Sequence, residues 1–269
     1  MDTEQKMKHL EEILQQAGAV AVAFSGGVDS AFLLWAARRV LGENAVAVTV
    51  TGEMVSPMDE MSAKEFIDLY QIPQYCIPVD IFSLKEFCEN SSERCYFCKR
   101  FLFGRILERA KTLNRKVAEG SNLDDLDDYR PGQKALKEMG ILSPLAEAGL
   151  TKKEIRQLSK QNLLPTWDKP SCACLASRIP YGTVITKEKL TQVRFAEIFL
   201  HDLGIEQLRV RHHGTVARIE TDDNGFAIIT KQRKKVAEKL KTFGFSYIAL
   251  DLEHYQSGSM NKTISMKDS

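Results

Sequence analysis

The sequence predicts an α/β fold in two parts, a domain built on a parallel sheet and a smaller C-terminal α+β domain. The first observation is a set of strand-length segments that alternate with helical ones, at residues 19–24, 45–50, 75–80 and 116–121. Repeated βα units are typical of a parallel sheet with helices on both faces. The second observation is a change of pattern after about residue 170, from which we expect domains at 1–169 and 170–269.

Apolar spacing and capping signals place the helices of the first domain. After the first strand, apolar residues recur at helical spacing in "LLWAARRVL". Ser56 followed by Pro57 predicts the start of a second helix, and a third is expected at about 98–110. Thr151 and Glu154 form a further capping box, so the helix that closes the domain begins there.

The second domain has the order helix, strand, strand, helix, strand. From this order we expect a small antiparallel sheet covered by helices. His212 and His213 end the first of these strands, and we predict that they are surface residues rather than ligands. The segments, in the same order, are residues 186–204, 206–213, 215–221, 225–244 and 246–252.

Composition is that of a water-soluble enzyme without a charge bias. The chain has 269 residues, with 37 Lys+Arg against 36 Asp+Glu, so a nucleic-acid partner is not expected. No apolar run reaches the length needed to span a membrane, and the first residues lack the apolar centre of a signal peptide. We therefore expect a cytoplasmic protein. In that reducing compartment, clustered cysteines indicate metal or sulfur chemistry rather than disulfides.

The segment "VAVAFSGGVDS" joins the first strand to a helix through two glycines. Free N–H groups and the positive end of the helix dipole make such a turn an anion site. We predict that Ser25, Gly26, Gly27 and Ser30 hold phosphate, and that Asp29 acts through a magnesium ion beside it. No lysine follows the glycines, so the loop differs from GxxxxGK[ST]. The alternative is an ordinary glycine turn that Asp29 or Ser30 caps.

Polar residues follow two other strands at the same sheet edge. Asn122 and Asp125 lie after the fourth strand and are predicted to join the nucleotide and metal site. Thr51 ends the second strand, where an adenosine could be held. The alternatives are a solvated acidic loop and a strand-end threonine without a role.

The cysteines form two clusters, Cys95 with Cys98 in "RCYFC" and Cys172 with Cys174 in "CAC". Four thiols in two pairs could bind structural zinc, although zinc prefers two CxxC pairs. Three thiolates on an iron-sulfur cluster fit the spacing equally well, and spacing alone does not choose. Two isolated cysteines are predicted to be small buried hydrophobes, Cys76 and Cys88.

Five segments, in order along nearly the whole chain, resemble the LarE family of ATP-dependent sulfur transferases. They are "FSGGVDS", "ERCYFCK", "GSNLDDLDDYRPG", "CLASRIPYGT" and "RVRHHGTVARIE". The first also resembles the pyrophosphate loop (PP-loop) of the N-type ATP pyrophosphatases. The resemblance implies adenylation of a carboxylate of pyridinium-3,5-biscarboxylic acid mononucleotide, with release of pyrophosphate. The carboxylate then becomes a thiocarboxylate on the way to the nickel-pincer nucleotide, the cofactor of lactate racemase.

The resemblance also implies roles for the cysteines. Some family members sacrifice one cysteine as the sulfur source, whereas others hold a [4Fe-4S] cluster on three cysteines. This sequence resembles the cluster type, with Cys95, Cys98 and Cys174 as ligands. Cys172 departs from the three-cysteine pattern, so its role stays open. The catalytic residues implied are Asp29, Cys174 and Cys172.

Arginines in the second domain are candidates for the substrate site. In "RVR", strand alternation puts Arg209 and Arg211 on one face, where they would suit the phosphate of a mononucleotide. The alternative is a solvated strand face. A sulfur nucleophile reacts as its anion and needs positive surroundings, for which Arg178 and Arg218 are candidates together with these two arginines. The resemblance adds Ser177 and Glu197 to the substrate side, where Arg178 is also expected.

Other functions are compatible with the loop. A tRNA-thiolating enzyme of the same superfamily would need a basic surface, and a glutamine-dependent amidating enzyme would need a source of ammonia. A nucleotide sensor without activity is disfavoured because the loop motif is intact. We expect small-molecule nucleotide substrates, ATP with Mg²⁺, and a homo-oligomer.

Overall fold

A computed structural model describes residues 1–126, 131–170 and 173–253. The chain divides into two compact units, and two short segments from its first half belong to the second unit. No helix in these described ranges is long and apolar enough to cross a membrane. The first unit comprises Met1–Gly52, Met58–Leu84 and Glu93–Cys172, and the second comprises Glu53–Pro57, Lys85–Ser92 and Ala173–Ser269.

A four-stranded, all-parallel sheet forms the centre of the first unit, as the sequence predicts. Its spatial order is β3-β2-β1-β4, so the chain moves outward from β1 to β3 and then returns to the other side of β1. Ligands bind at such a switch point, beyond the carboxyl ends of the strands. Here that place lies between the ends of β1 and β4. The strands are β1 (Val20–Ala23), β2 (Ala45–Thr51), β3 (Gln74–Pro78) and β4 (Lys116–Ala118).

Helices cover both faces of this sheet, and strand alternation divides the core accordingly. Val20 and Val22 of β1 belong to one apolar cluster, whereas Ala21 belongs to another on the opposite face. Burial on both faces explains why the strands read as continuous apolar runs. The helices of this half of the chain are α1 (Thr3–Ala17), α2 (Val28–Leu41), α3 (Pro57–Tyr70), α4 (Lys85–Glu89), α5 (Arg94–Thr112), α6 (Pro131–Glu138), α7 (Pro144–Glu147) and α8 (Lys152–Gln161).

The second unit is an α+β structure with a three-stranded sheet in the order β5-β6-β7. β5 pairs antiparallel with β6, but β6 pairs parallel with β7, so the expectation of an all-antiparallel sheet is wrong. Two helices connect β6 to β7 and return the chain to the end at which β6 begins. They meet at Gln232, where the sequence predicts one helix. The elements are α9 (Lys187–Asp202), β5 (Leu208–His213), β6 (Val216–Thr221), α10 (Asp223–Lys231), α11 (Arg233–Thr242) and β7 (Tyr247–Leu250).

Asn90 joins a segment from the first half of the chain to the second unit. Its buried side chain donates to the carbonyls of Pro180 (2.8 Å) and Thr183 (2.9 Å), and its own carbonyl accepts from the Gly182 amide (3.0 Å). These three hydrogen bonds satisfy backbone groups of the turn at residues 180–183, which belongs to no strand or helix. The turn after α4 is therefore part of the second unit.

Glu154 connects the helices that flank the sheet. It completes the predicted capping box with Thr151, and both its carboxylate oxygens accept from the Lys6 ammonium of α1 at 2.8 Å. Burial is the largest single influence and raises the pKa of Glu154, but the bonds from Lys6 and Thr151 together outweigh it. The net result lowers the pKa to about 2. The carboxylate is therefore stabilised relative to the acid in the folded protein.

We expect Glu154→Gln to lower the free energy of unfolding at pH 7 by about 1 kcal/mol, because a charged pair becomes a neutral contact at a partly exposed site. The folded pKa of about 2 lies below the ordinary value of 4.5, so the stabilisation is present above pH 4.5. It is lost as the pH falls through 4.5 towards 2. Denaturant unfolding between pH 3 and 7 measures this, with the exposed Glu65→Gln as control. A loss of unfolding free energy that is the same at every pH would contradict this expectation.

Candidate active site

The loop after β1 is held tightly against α3. Gly26 has φ +76°, and a Cβ there would lie 2.7 Å from the Asp59 carbonyl oxygen. Only glycine fits such a position. The Ser30 hydroxyl braces the loop from inside, since it accepts from the Ser25 amide (3.3 Å) and donates to the Gly27 carbonyl (3.1 Å). Gly27 is the N-cap of α2, so the loop ends at a helix N-terminus.

The segment after β4 packs directly on this helix end. A Cβ at Gly120 would lie 2.9 Å from the Ser30 amide nitrogen and 3.1 Å from the Asp29 carbonyl carbon. The two predicted residues that follow form a capping box. The Asn122 amide donates to the Asp125 carboxylate at 3.1 Å, and the Asn122 side chain accepts from the Asp124 amide at 3.0 Å. The structure therefore brings the loop, Asn122 and Asp125 to one edge of the sheet.

A buried glutamate, which the sequence analysis missed, anchors this segment. Glu119 accepts from the hydroxyls of Ser121 (2.7 Å) and Ser143 (2.6 Å) and from the Ser121 amide (3.1 Å). These donors compensate for the burial of a charge. An acid at the end of a buried strand is the signal that could have identified it.

Asp29 lies in the first turn of α2 and pairs with Lys152 at 2.5 Å through Oδ2. Its other oxygen, Oδ1, is buried and accepts from no group in the described part of the chain. Burial raises the pKa of Asp29 against the opposing charge of Lys152, and the charges of Asp125 and Arg156 also act on it. A buried carboxylate oxygen without a partner is an unfavourable arrangement that a cation would relieve. The residues present thus fit a magnesium ion.

Two lysines reach the loop from distant parts of the sequence, although none follows its glycines. Lys152 begins α8, and Lys169 donates to the Gly26 carbonyl at 3.1 Å and to the Asp59 carboxylate at 2.7 Å. The sequence analysis missed both. A lysine in the first turn of a helix opposes the helix dipole, and this local cost was a detectable signal for Lys152.

The strand-end threonines differ in their contacts. Thr49 is committed to the fold, because its hydroxyl donates to the Phe24 carbonyl (2.9 Å) and accepts from Gln74 (2.8 Å). Thr51, the predicted nucleotide residue, is half-buried at the carboxyl end of β2, and its carbonyl accepts from the Val79 amide. It therefore lies at the ligand-binding edge of the sheet.

The clustered cysteines lie at two places in the chain. Cys95 is exposed and Cys98 half-buried at the start of α5, three residues apart and so on one helix face. Cys174 is exposed and precedes the short turn Leu175–Arg178 of the second unit. Cys172 lies outside the described residues. Within the described ranges, no three His, Cys, Asp or Glu side chains form a group arranged to hold a metal ion.

The isolated cysteines are less buried than predicted. Cys76 is exposed and Cys88 half-buried, so the prediction of two buried thiols is wrong. Cys76 belongs to β3, which is an edge strand of the sheet. An edge strand is covered less completely than its central neighbours, and its side chains meet solvent more often.

Arg178 is fully buried and organises the turn that carries Cys174. Its guanidinium makes a two-bond fork with Glu197, Nε to Oε1 at 2.9 Å and Nη2 to Oε2 at 3.1 Å. Nη1 donates to the Ala173 carbonyl (2.7 Å) and the Ser177 hydroxyl (3.0 Å). Glu197 also accepts from the Val210 amide at 2.9 Å. Three predicted residues, Ser177, Arg178 and Glu197, thus form one buried network.

The two arginines of β5 are buried, so the alternative of a solvated strand face is wrong. Arg211 donates to the Ser177 carbonyl (3.1 Å) and pairs with Glu220 of β6 (2.7 Å). Arg209 donates to the Leu208 carbonyl at 2.7 Å. The structure therefore links Arg211 to the turn that Arg178 organises.

His212 is buried, contrary to the prediction of a surface residue, whereas His213 is exposed as predicted. The His212 ring lies 5.4 Å from that of Phe245, and its Nε2 bonds to the Gln192 side chain at 2.8 Å. Burial lowers the pKa of His212, with a further contribution from Lys189. Burial thus favours the neutral form of the ring, which packs against Phe245.

We expect Arg178→Met to lower the free energy of unfolding by about 3–5 kcal/mol, because it leaves the Glu197 carboxylate buried without its partner. Denaturant unfolding monitored by circular dichroism measures the loss. The control is Arg105→Met in the exposed pair with Glu108 (3.3 Å), for which we expect less than about 1 kcal/mol. Equal effects of the two substitutions would contradict a buried, structure-forming pair.

The loop and its surroundings define a class. A parallel sheet carries a glycine loop without a following lysine at its switch point, and an acid and two distant lysines converge on that loop. Together with the second, smaller sheet, this is the arrangement of a PP-loop ATP pyrophosphatase with a C-terminal α+β domain.

Comparisons with known proteins identify the family. No family model matches the chain. An uncharacterised protein of Synechocystis sp. is 39% identical over 264 residues, covering 97% of this chain and 98% of that protein. The pyridinium-3,5-bisthiocarboxylic acid mononucleotide synthase of Lactiplantibacillus plantarum is 33% identical over 261 residues, 96% of this chain and 95% of that protein. An uncharacterised protein of Methanocaldococcus jannaschii is 28% identical over 239 residues, 88% of this chain and 91% of its own length.

The chain therefore belongs to the LarE family, that of the L. plantarum synthase. The resemblance of the five sequence segments is confirmed over nearly the full length of the protein.

Proposed function

We propose that this protein is an ATP-dependent sulfur transferase of nickel-pincer nucleotide biosynthesis. It adenylates a carboxylate of pyridinium-3,5-biscarboxylic acid mononucleotide, releases pyrophosphate, and converts the activated carboxylate to a thiocarboxylate. The observation that carries the proposal is the near full-length similarity to the L. plantarum synthase. The geometry of the loop after β1 supports it, since this loop is built to hold an anion beside an acid.

The first unit supplies the adenylation site. The amides at the N-terminus of α2 bind the phosphates of ATP, together with Ser25, and Asn122 lies beside them. Lys152 adds positive charge where the leaving pyrophosphate develops its negative charge. Thr51, at the end of β2, is placed to contact the adenosine. A carboxylate is a poor electrophile, and attachment of AMP gives it a good leaving group.

Asp29 and Asp125 would hold the magnesium ion. Bound there, the ion would stabilise negative charge on the departing pyrophosphate. Asp29 must be ionised for this role, and burial opposes its ionisation. The Lys152 ammonium opposes this effect of burial in part, because it favours the carboxylate form.

The sulfur chemistry is assigned to the cysteines. Cys95, Cys98 and Cys174 would hold a [4Fe-4S] cluster, which would supply sulfide at an iron that no thiolate occupies. Cysteine side chains, which are suitable cluster ligands, are present at these positions, and the first two lie one helical turn apart. Cys172 is either a further ligand or a sulfur donor in its own right.

The second unit recognises the mononucleotide. Arg209 and Arg211 supply charge suited to a phosphate, and the Ser177 carbonyl accepts from Arg211. Arg178 and Glu197 act on the substrate through that network, because they fix the backbone of the turn that carries Cys174. The role of Arg178 is thus positional.

The remaining partners follow from this function. The substrates are small nucleotides, the compartment is the cytoplasm, and we propose a homo-oligomer. A tRNA-thiolating activity is not favoured, since the formal net charge is only +1 and such an enzyme needs a basic surface.

With Mg²⁺, ATP and the biscarboxylic substrate, we expect AMP and pyrophosphate as products. Asp29→Asn should lower their rate of formation by roughly 10²–10³-fold, the scale for removing one electrostatic contact to developing charge. Ion-exchange chromatography of the nucleotides measures the products, and the exposed Asp68→Asn is the control. ADP as the main product, or an unimpaired Asp29→Asn variant, would contradict the assignment.

We expect the protein to be brown when it is purified without oxygen, and to turn over repeatedly when sulfide is supplied. Alanine at Cys95, Cys98 or Cys174 should remove the colour and the activity together, since two thiolates rarely retain a cluster. Absorption spectra and intact-protein mass measure this, with Cys88→Ala as control. A colourless protein that makes one turnover and loses one hydrogen sulfide in mass would instead establish a sacrificial cysteine.

A further inference from the structure

The Lys169 side chain joins three acceptors at the base of the nucleotide loop. Its ammonium lies 2.7 Å from Asp59 Oδ1, 3.1 Å from the Gly26 carbonyl oxygen and 3.5 Å from the Met58 carbonyl oxygen. Only 13% of the Lys169 side chain and 14% of the Asp59 side chain are exposed. The ammonium therefore has little access to solvent, and it bonds the loop to the start of α3.

The contact with the Gly26 carbonyl sets the direction of one peptide group. A peptide bond is planar and trans, so its C=O and N–H point in opposite directions. The carbonyl of Gly26 and the amide of Gly27 belong to the same peptide. Because Lys169 holds the carbonyl towards α3, the Gly27 N–H points away from it. This amide donates to no acceptor within the part of the chain that the structure describes.

Glycines on both sides make this orientation easy to lose. A peptide flanked by two residues without Cβ atoms can rotate with little steric cost, so the sequence of the loop does not fix it. The Lys169 ammonium, whose charge Asp59 neutralises, fixes the orientation of this peptide. The loop thus needs a partner outside its own sequence to present an amide to an anion.

Helix α8 in turn holds the segment that carries Lys169. Arg156 donates to the carbonyls of Trp167 and Lys169, each at 2.8 Å, and the Lys160 ammonium lies 4.4 Å from the centre of the Trp167 ring. Arg156 and Lys160 follow Lys152 at intervals of four residues, on the same helix face. One face of α8 therefore contacts both Asp29 and the backbone behind Lys169.

We propose that Lys169 is a positioning residue of the adenylation site. It orients the Gly26–Gly27 peptide so that the Gly27 N–H donates to a phosphate oxygen of the nucleotide. This role rests on the proposed function, because it requires the loop to bind the phosphates of ATP. It assigns Lys169 to the loop backbone rather than to the phosphate itself.

The experiment uses the full-length protein, labelled with ¹⁵N, and magnesium pyrophosphate as the probe. In the wild type, we expect pyrophosphate to shift the Gly27 amide proton strongly downfield, as a new charge-assisted hydrogen bond does. In Lys169→Met we expect binding to weaken by about ten- to a hundredfold, the range for losing a hydrogen bond to a charged group. At saturation, the Gly27 shift should be absent. Lys64→Met removes an exposed cation of α3 that has no part in holding Lys169, and should behave as the wild type.

The amide shift separates this role from its alternatives. If Lys169 contacts phosphate directly, Lys169→Met weakens binding but the Gly27 shift persists at saturation, which overturns the proposal. A wild type that binds no pyrophosphate overturns the proposal together with the adenylation function. If Lys169→Met does not fold, Lys169→Gln decides by the same criterion, because its shorter neutral side chain cannot reach all three acceptors.

Discussion

The contact between Gly120 and the first turn of α2 is the constraint on which the proposed nucleotide site depends. The end of β4 approaches so closely that a single methyl group would collide with the backbone of Asp29 and Ser30. This approach occurs at the one point where the strand order reverses. It aligns the segment 120–125 with the glycine loop, and the buried Glu119 keeps it there. Burial raises the pKa of the Asp29 carboxyl, and the Asp125 charge in this segment raises it further.

The buried polar atoms of Arg178 and Asp29 have opposite hydrogen-bond environments. In the second unit, the guanidinium of Arg178 is enclosed and bonded to a carboxylate, a hydroxyl and backbone carbonyls. In the first unit, Asp29 keeps one buried oxygen that accepts from nothing among the described residues. A satisfied buried network specifies a structure, whereas an unsatisfied buried group is a feature that a ligand can complete. The hydrogen bonds of Arg178 stabilise the fold of the second unit, whereas the unsatisfied oxygen of Asp29 is available to a ligand.

The parts that the sequence could predict are those that local patterns encode. The loop at residues 25–30 and the capping box at Thr151 follow from short-range rules, and the apolar strands follow from burial on both faces. The partners of Lys152 and Lys169 could not be predicted this way, because these lysines contact residues 123 and 143 positions earlier in the chain. Arg209 and Arg211 alternate as expected, but whether their strand face is covered depends on how distant segments pack. The parallel pairing of β7 with β6 could not be predicted from local patterns either, because it depends on the path of the α10–α11 connection.

Two early segments of the chain belong to the second unit, so the two units are interleaved along the sequence. The chain crosses between the units five times, and each early segment supplies backbone partners to the later one. The Met54 carbonyl accepts from Leu175, and Asn90 holds the turn at Pro180–Thr183. A cut near residue 172 would leave those partners behind on the other fragment. The second unit is therefore not one continuous segment of the chain, and no single cut in the sequence separates it whole from the first unit.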